Sequence, residues 1–155
     1  MKIDYEYISP TDKPALIAIT TPPLIAKVES ALSELGYIIH RAVTHDDFLA
    51  RFARVQYQLV VIEDKFAAIT INENHSLRAF QHLPMQQRRM SISFLIGEKF
   101  QTLNPLQAFQ QSVHGVINIA DADKLKVIIP QVVAYTEQIL RLYLQTLEEH
   151  SAFHR

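Results

Sequence analysis

The chain has 155 residues, no cysteine, and 15 lysines and arginines against 16 aspartates and glutamates. A hydrophobic content of 48% suits one globular domain with a single sizeable core, and the balanced, scattered charge lacks the basic footprint that nucleic-acid binding requires. Without cysteine there can be no disulfide, thiol catalysis, Cys-based zinc site or iron–sulfur cluster.

The polar, acidic start Met1-Lys2-Ile3-Asp4-Tyr5-Glu6-Tyr7 does not read as a signal peptide, and no apolar run approaches the ~20 residues of a spanning helix. A cytoplasmic protein with no membrane partner is therefore expected. Residues 1–13 read as an N-terminal arm, whose alternation from Ile3 to Ile8 suggests an extra strand, and residues 14–155 as one domain. Ala15 to Ile19 is a short apolar run fit for a strand buried on both faces. Pro22-Pro23 ends it, and Leu24, Ile25, Val28, Ala31, Leu32 and Leu35 recur at helical spacing up to Gly36.

Tyr37 to Val43 predicts the second strand, and Thr44 before His45-Asp46-Asp47 predicts the N-cap of a helix through Phe48, Leu49, Phe52 and Val55. Tyr57 to Asp64 predicts a buried third strand that carries a carboxylate to its end. A helix-rich segment from Asn74 to Arg89, interrupted at Pro84, leads to a fourth strand over Ile92 to Ile96. A short helix from Asn104 to Ser112 and a fifth strand from Gly115 to Ile119 follow. Alternating strands and helices predict a parallel sheet covered on both faces. A dinucleotide fold would need a glycine fingerprint where Thr20-Thr21-Pro22-Pro23 stands.

From Asp121 to about Glu149 one helical pattern continues through Leu125, Ile128, Ile129, Val132, Val133, Ile139, Leu140, Tyr143 and Leu147. At 1.5 Å per residue it would extend about 44 Å, past the domain it closes, and Pro130 is expected to kink or divide it. The apolar positions Val133, Ile139, Leu140, Tyr143 and Leu147 lie beyond what one sheet can cover. They are the expected surface for a homodimer.

The third strand, Tyr57-Gln58-Leu59-Val60-Val61-Ile62-Glu63, with the order of elements around it, resembles the receiver domain of two-component response regulators. The resemblance covers about Pro14 to Val133 and implies a flavodoxin-like, doubly wound five-stranded α/β fold. A phosphorylating receiver has an acidic pair after its first strand, an acceptor aspartate ending the third, Ser or Thr ending the fourth and Lys-Pro ending the fifth. These groups hold Mg²⁺, attack phosphorus, bind the phosphoryl group and neutralise it. The resemblance carries these positions onto Thr20 and Thr21, Glu63, Gly97 and Asn118. Every one departs from the pattern.

The resemblance thus implies a degenerate receiver, a pseudo-receiver: not an enzyme, without cofactor or metal, and acting on an unidentified protein partner. Asp64, reached by a one-residue slip in register, is the alternative acceptor. In an atypical receiver it could be switched by phosphorylation or by a small anion. Glu63, one methylene longer than aspartate, is either a mimic of the phosphorylated state or a strand-end carboxylate, solvated or bonded to nearby amides. In the strand-end case its neutralisation should cost little.

Leu83-Pro84-Met85-Gln86-Gln87-Arg88-Arg89 and Phe100 to Asn104, with Ala108-Phe109 and Ser112-Val113, are also similar to uncharacterised bacterial receiver-like proteins often fused to a zinc ribbon. The histidines offer no metal motif: His150 and His154 are four apart but supply only two ligands. Ser91 and Ser93 lack a hydrolase elbow, and Arg88-Arg89 reads as a solvated basic helix end.

Overall fold

The computed structural model describes residues 11–153. The strand expected over Ile3 to Ile8 falls outside that range, as does His154. Five strands, β1 (Lys13–Ala18), β2 (Tyr37–Ala42), β3 (Leu59–Glu63), β4 (Ile92–Gly97) and β5 (Gly115–Asn118), form one parallel sheet in the order β2-β1-β3-β4-β5. This is the doubly wound order of a flavodoxin-like fold, in which the chain leaves β1 in one direction for β2 and returns in the other for β3. The central strands β1, β3 and β4 are buried along nearly their whole length because both faces are covered.

Alternating side chains divide the core into two layers. Ala15, Ile17, Leu59, Val61, Phe94, Ile96 and Ile117 face α1 (Pro22–Glu34) and the first half of α6 (Leu125–Phe153). Leu16, Ala18, Val60, Ile62, Leu95 and Val116 face α2 (His45–Arg54), α3 (His75–Gln81) and α5 (Pro105–Gln111). A short α4 (Met85–Met90) lies between α3 and β4.

Local chemistry sets the helix limits. Thr44 and Asn104 accept hydrogen bonds from the amides of Asp47 and Gln107, capping α2 and α5. Pro22 opens α1, where a missing N–H costs nothing, and Gly36 follows its end at φ +87°. The helix-rich segment expected between Asn74 and Arg89, with its interruption at Pro84, is two helices, and Pro84 is the N-cap of the second.

Two expectations about the C-terminal helix are corrected. Ile119–Lys124 is a 3-10 helix, so the α-helix begins at Leu125 rather than Asp121. Nor does Pro130 divide it: α6 runs continuously through that residue. The ring of Pro130 lies on the exposed side, where water can satisfy the carbonyl left without a donor, while Ile128, Ile129, Val132 and Val133 on either side hold the helix to the sheet. Every described residue from Arg141 to Ser151 is exposed. No helix among the described residues is long and apolar enough to cross a membrane.

Candidate functional site

In open α/β sheets, the crevice at the C-terminal ends of the strands is where ligands bind. Here the ends of β1, β3, β4 and β5 bring Thr20, Thr21, Glu63, Asp64, Gly97 and Asn118 to one rim.

Glu63 is the last residue of β3 and only 2% exposed. Its Oε1 accepts from the backbone amides of Thr20 at 2.8 Å and Thr21 at 3.1 Å, and its Oε2 accepts from the Thr21 hydroxyl at 2.6 Å. Thr21 is the N-cap of α1, yet its side chain makes no capping bond, and the first turn of α1 contains no acidic residue. A carboxylate from the neighbouring strand therefore supplies the negative charge that the positive end of the helix favours. Of the meanings open to Glu63 in the sequence, a solvated strand end is ruled out: the group is buried and bonded to amides.

Asp64 leans toward the opposite neighbour. Its own amide donates to the carbonyl of Ile96 on β4, and its Oδ1 accepts from the Lys65 amide at 2.8 Å. A Cβ added to Gly97 would lie 2.6 Å from Asp64 Oδ2 and 2.8 Å from the ring of Phe100. The carboxylate of Asp64 thus packs into space that exists only because position 97 has no side chain. Burial raises the pKa of Asp64 above its ordinary value; the Lys65 amide opposes this, and the charges of Glu63 and Glu98 add to it.

Asn118, where a receiver has its lysine, acts as a backbone clamp. Its Nδ2 donates to the carbonyls of Glu98 and Phe100, its Oδ1 accepts from the Ala120 amide, and its own amide donates to Thr102 Oγ1. Thr102 in turn donates to Asp121, which also pairs with Lys124. These bonds tie the loop after β4 to the turn after β5.

A second group of residues, of which only Thr20 is a candidate from the sequence, closes the rim on the side of α2 and α3. Fully buried Asn74 donates to the carbonyls of Glu63 and Asp64 and accepts from the Leu77 amide, so it both caps α3 and holds the end of β3. Thr20 Oγ1 accepts from the amide of Ala67, which has φ 46°. The Ala67 carbonyl accepts from His45 Nε2, and His45 Nδ1 accepts from the Ser76 amide at 3.1 Å. That arrangement assigns the proton of His45 to Nε2. An Asn followed two positions later by Ser, ahead of Leu77 and Phe80, is a legible capping signal. The contacts from Asn74 to the strand end are not.

Among the described residues, no group of three His, Asp or Glu side chains is placed to hold a metal ion. The serines weighed in the sequence have structural partners: Ser91 Oγ donates to the Tyr57 carbonyl, and Ser93 lies against His114 Nδ1. Arg88 and Arg89 lie in the last turn of α4 as a basic helix end, and the exposed Arg89 also sets its guanidinium 4.7 Å from the centre of the Tyr143 ring on α6.

No family model matches this sequence, and a search of curated proteins finds no match. Solved structures do match. The chemotaxis response regulator CheY4 of Vibrio cholerae is similar at a TM-score of 0.62 and 13% identity, over 79% of this chain and 99% of that one. The signal receiver domain of an HD domain-containing protein from Pseudomonas fluorescens matches at 0.62 and 13%, over 88% and 98%. HP1043, an orphan response regulator of H. pylori, matches at 0.58 and 13%, over 78% and 96%. At these identities the likeness is one of architecture. The chain has the fold of a response-regulator receiver domain.

Proposed function

We propose that this chain is a cytoplasmic signalling module of receiver fold in which phosphotransfer has been lost and protein–protein interaction kept. It is a pseudo-receiver and not an enzyme. The observation that carries the reading is the Glu63 carboxylate bonded to the amides of Thr20 and Thr21 and to the Thr21 hydroxyl. The resemblance to receivers would put a magnesium-binding carboxylate pair at Thr20 and Thr21. Here two neutral residues donate to the would-be acceptor itself, so the metal lacks anchors and the acceptor oxygens are engaged. Asn118 has no charge to neutralise a phosphoryl group, and the space at Gly97 that would admit a hydroxyl is filled by Asp64.

Incubation with acetyl phosphate and Mg²⁺, followed by intact-mass measurement, tests this reading. No gain in mass is expected. A stable gain of one phosphoryl group that disappears in Glu63→Gln or Asp64→Asn would overturn it in favour of an atypical receiver.

The interaction surface in this reading is the last part of α6, with a second copy of the chain as partner. Ile139, Leu142, Tyr143, Leu144 and Leu147 are 44–57% exposed there, and Val133 and Leu140 are partly covered. Complete burial of such side chains is worth about 1.5–3 kcal/mol each, and roughly half of that remains to be gained from half-exposed ones. Summed over two copies, this is comparable to the roughly 4–15 kcal/mol that association costs.

A further inference from the structure

The apolar stripe of α6 keeps its direction. Leu125, Ile128, Ile129, Val132, Thr136, Leu140, Tyr143 and Leu147 follow one another at steps that keep them on one side of a helix. The first members of the series are the ones buried against α1 and the sheet. Gln131, Gln138, Arg141, Gln145, Glu148 and Glu149 occupy the other side and are exposed.

The lower rim of the domain, marked by Lys13 and Tyr37 at the starts of β1 and β2, meets α6 at the level of Val133 to Glu137, where these residues line a common cleft. Arg89 stacked on Tyr143 is the domain's lowest hold on the helix. Below that level the face that packs on the sheet continues with nothing from the described residues over Leu144 and Leu147, which are 50% and 44% exposed.

Resting on the reading of α6 as a self-association surface, we infer that two copies pair by laying these tails antiparallel, each tail ending beneath the lower rim of the other domain. The domain body lies on the same side of α6 as the stripe. A parallel partner helix, packed at the usual 8–10 Å between axes, would extend upward into the volume occupied by α1 and the sheet. An antiparallel partner meets only the tail, and its own domain falls clear at the far end.

A register that sets Leu140 opposite Leu147 puts the two-fold axis between Tyr143 and Leu144, and the same patch of each copy meets itself, as a closed dimer requires.

Because the chain has no cysteine, introduced thiols can report the geometry without interference. Full-length Leu140→Cys and Leu147→Cys proteins are mixed, oxidised and resolved by non-reducing electrophoresis and mass, beside light scattering of the unaltered chain at micromolar concentration. The expected result is a dimer by scattering and a dominant mixed disulfide between positions 140 and 147, with far less cross-linking in either variant alone. Dominant 140–140 and 147–147 disulfides would overturn the antiparallel arrangement while leaving self-association intact. A monomer by scattering would overturn both, leaving the phosphorylation result to stand by itself.

A Leu140→Glu, Leu147→Glu double variant that keeps its circular dichroism should associate roughly a hundredfold more weakly. Unchanged association would place the interface elsewhere and sink the inference. If the full chain is a monomer but a chain without residues 1–10 is a dimer, the N-terminal arm, not a second copy, occupies the stripe. That result also overturns the inference.

Discussion

The upper rim of the sheet and the lower part of α6 solve opposite problems. At the rim, polar groups that in a phosphorylating receiver would face a metal and a phosphoryl group are turned on each other: Glu63 to Thr20 and Thr21, Asp64 into the space at Gly97, and Asn118 to three backbone groups. On the tail, the apolar side chains below Tyr143, those of Leu144 and Leu147, have no cover from the described residues. Closing the rim with internal bonds stabilises the fold, and in the proposed reading it leaves little to offer a ligand. An uncovered stripe does the reverse, since its burial remains available to a partner.

Disturbing the closed rim should therefore cost stability, and the largest effect is expected at Glu63. Glu63→Gln preserves the shape, but it replaces the charged acceptor of the Thr20 and Thr21 amides with a neutral oxygen and sets an NH2 group against the Thr21 hydroxyl, which loses its carboxylate acceptor. A loss of about 2–3 kcal/mol is expected from urea unfolding. This replaces the near-neutral outcome that a solvated strand end would give. If the loss stays within about 0.5 kcal/mol, as at exposed sites, the carboxylate does not hold the start of α1.

Gly97→Ser restores the hydroxyl expected of a receiver at the end of β4, and it should destabilise by about 1–2 kcal/mol because its Cβ overlaps Asp64 and Phe100. The cycle with Asp64→Gly sharpens the comparison: removing the carboxylate should recover part of the loss. Strict additivity of the two changes would mean that the serine is accommodated without touching Asp64.

The smallest effect, and one of opposite sign, is expected at Asp64. Its pKa is raised on folding, chiefly by burial. Stability linked to this group is therefore fully present below the ordinary value of 3.8 and is lost as pH rises through the raised folded value. At neutral pH Asp64→Asn should stabilise the domain, within about 1 kcal/mol, and the advantage should disappear in unfolding experiments below pH 3.8. A loss of stability at neutral pH would show that the contact with the Lys65 amide outweighs the desolvation of the carboxylate.

Much of the architecture is legible in the sequence. The apolar run at Ala15 to Ile19, the caps at Thr44 and Asn104, the stop at Gly36 and the strand ending at Glu63 all rest on chemistry that acts within a few residues. At Pro130 the sequence shows the lost hydrogen bond but not which side of the helix loses it, and so does not tell a division from a continuous helix. On the exposed side, packing of Ile129 and Val133 against the core carries the helix through.

What the sequence determined by itself was the order and period of the elements, and with them a parallel sheet whose strand ends hold Thr20, Thr21, Glu63, Gly97 and Asn118. Only the tertiary structure decided what those residues do. The bonds of Glu63 span 42 and 43 positions along the chain, and which neighbour each of two adjacent carboxylates faces depends on the strands to either side. The stripe on α6 was likewise written in the sequence, but where its cover ends depends on where the sheet ends, because burial is a property of the assembled fold rather than of the helix.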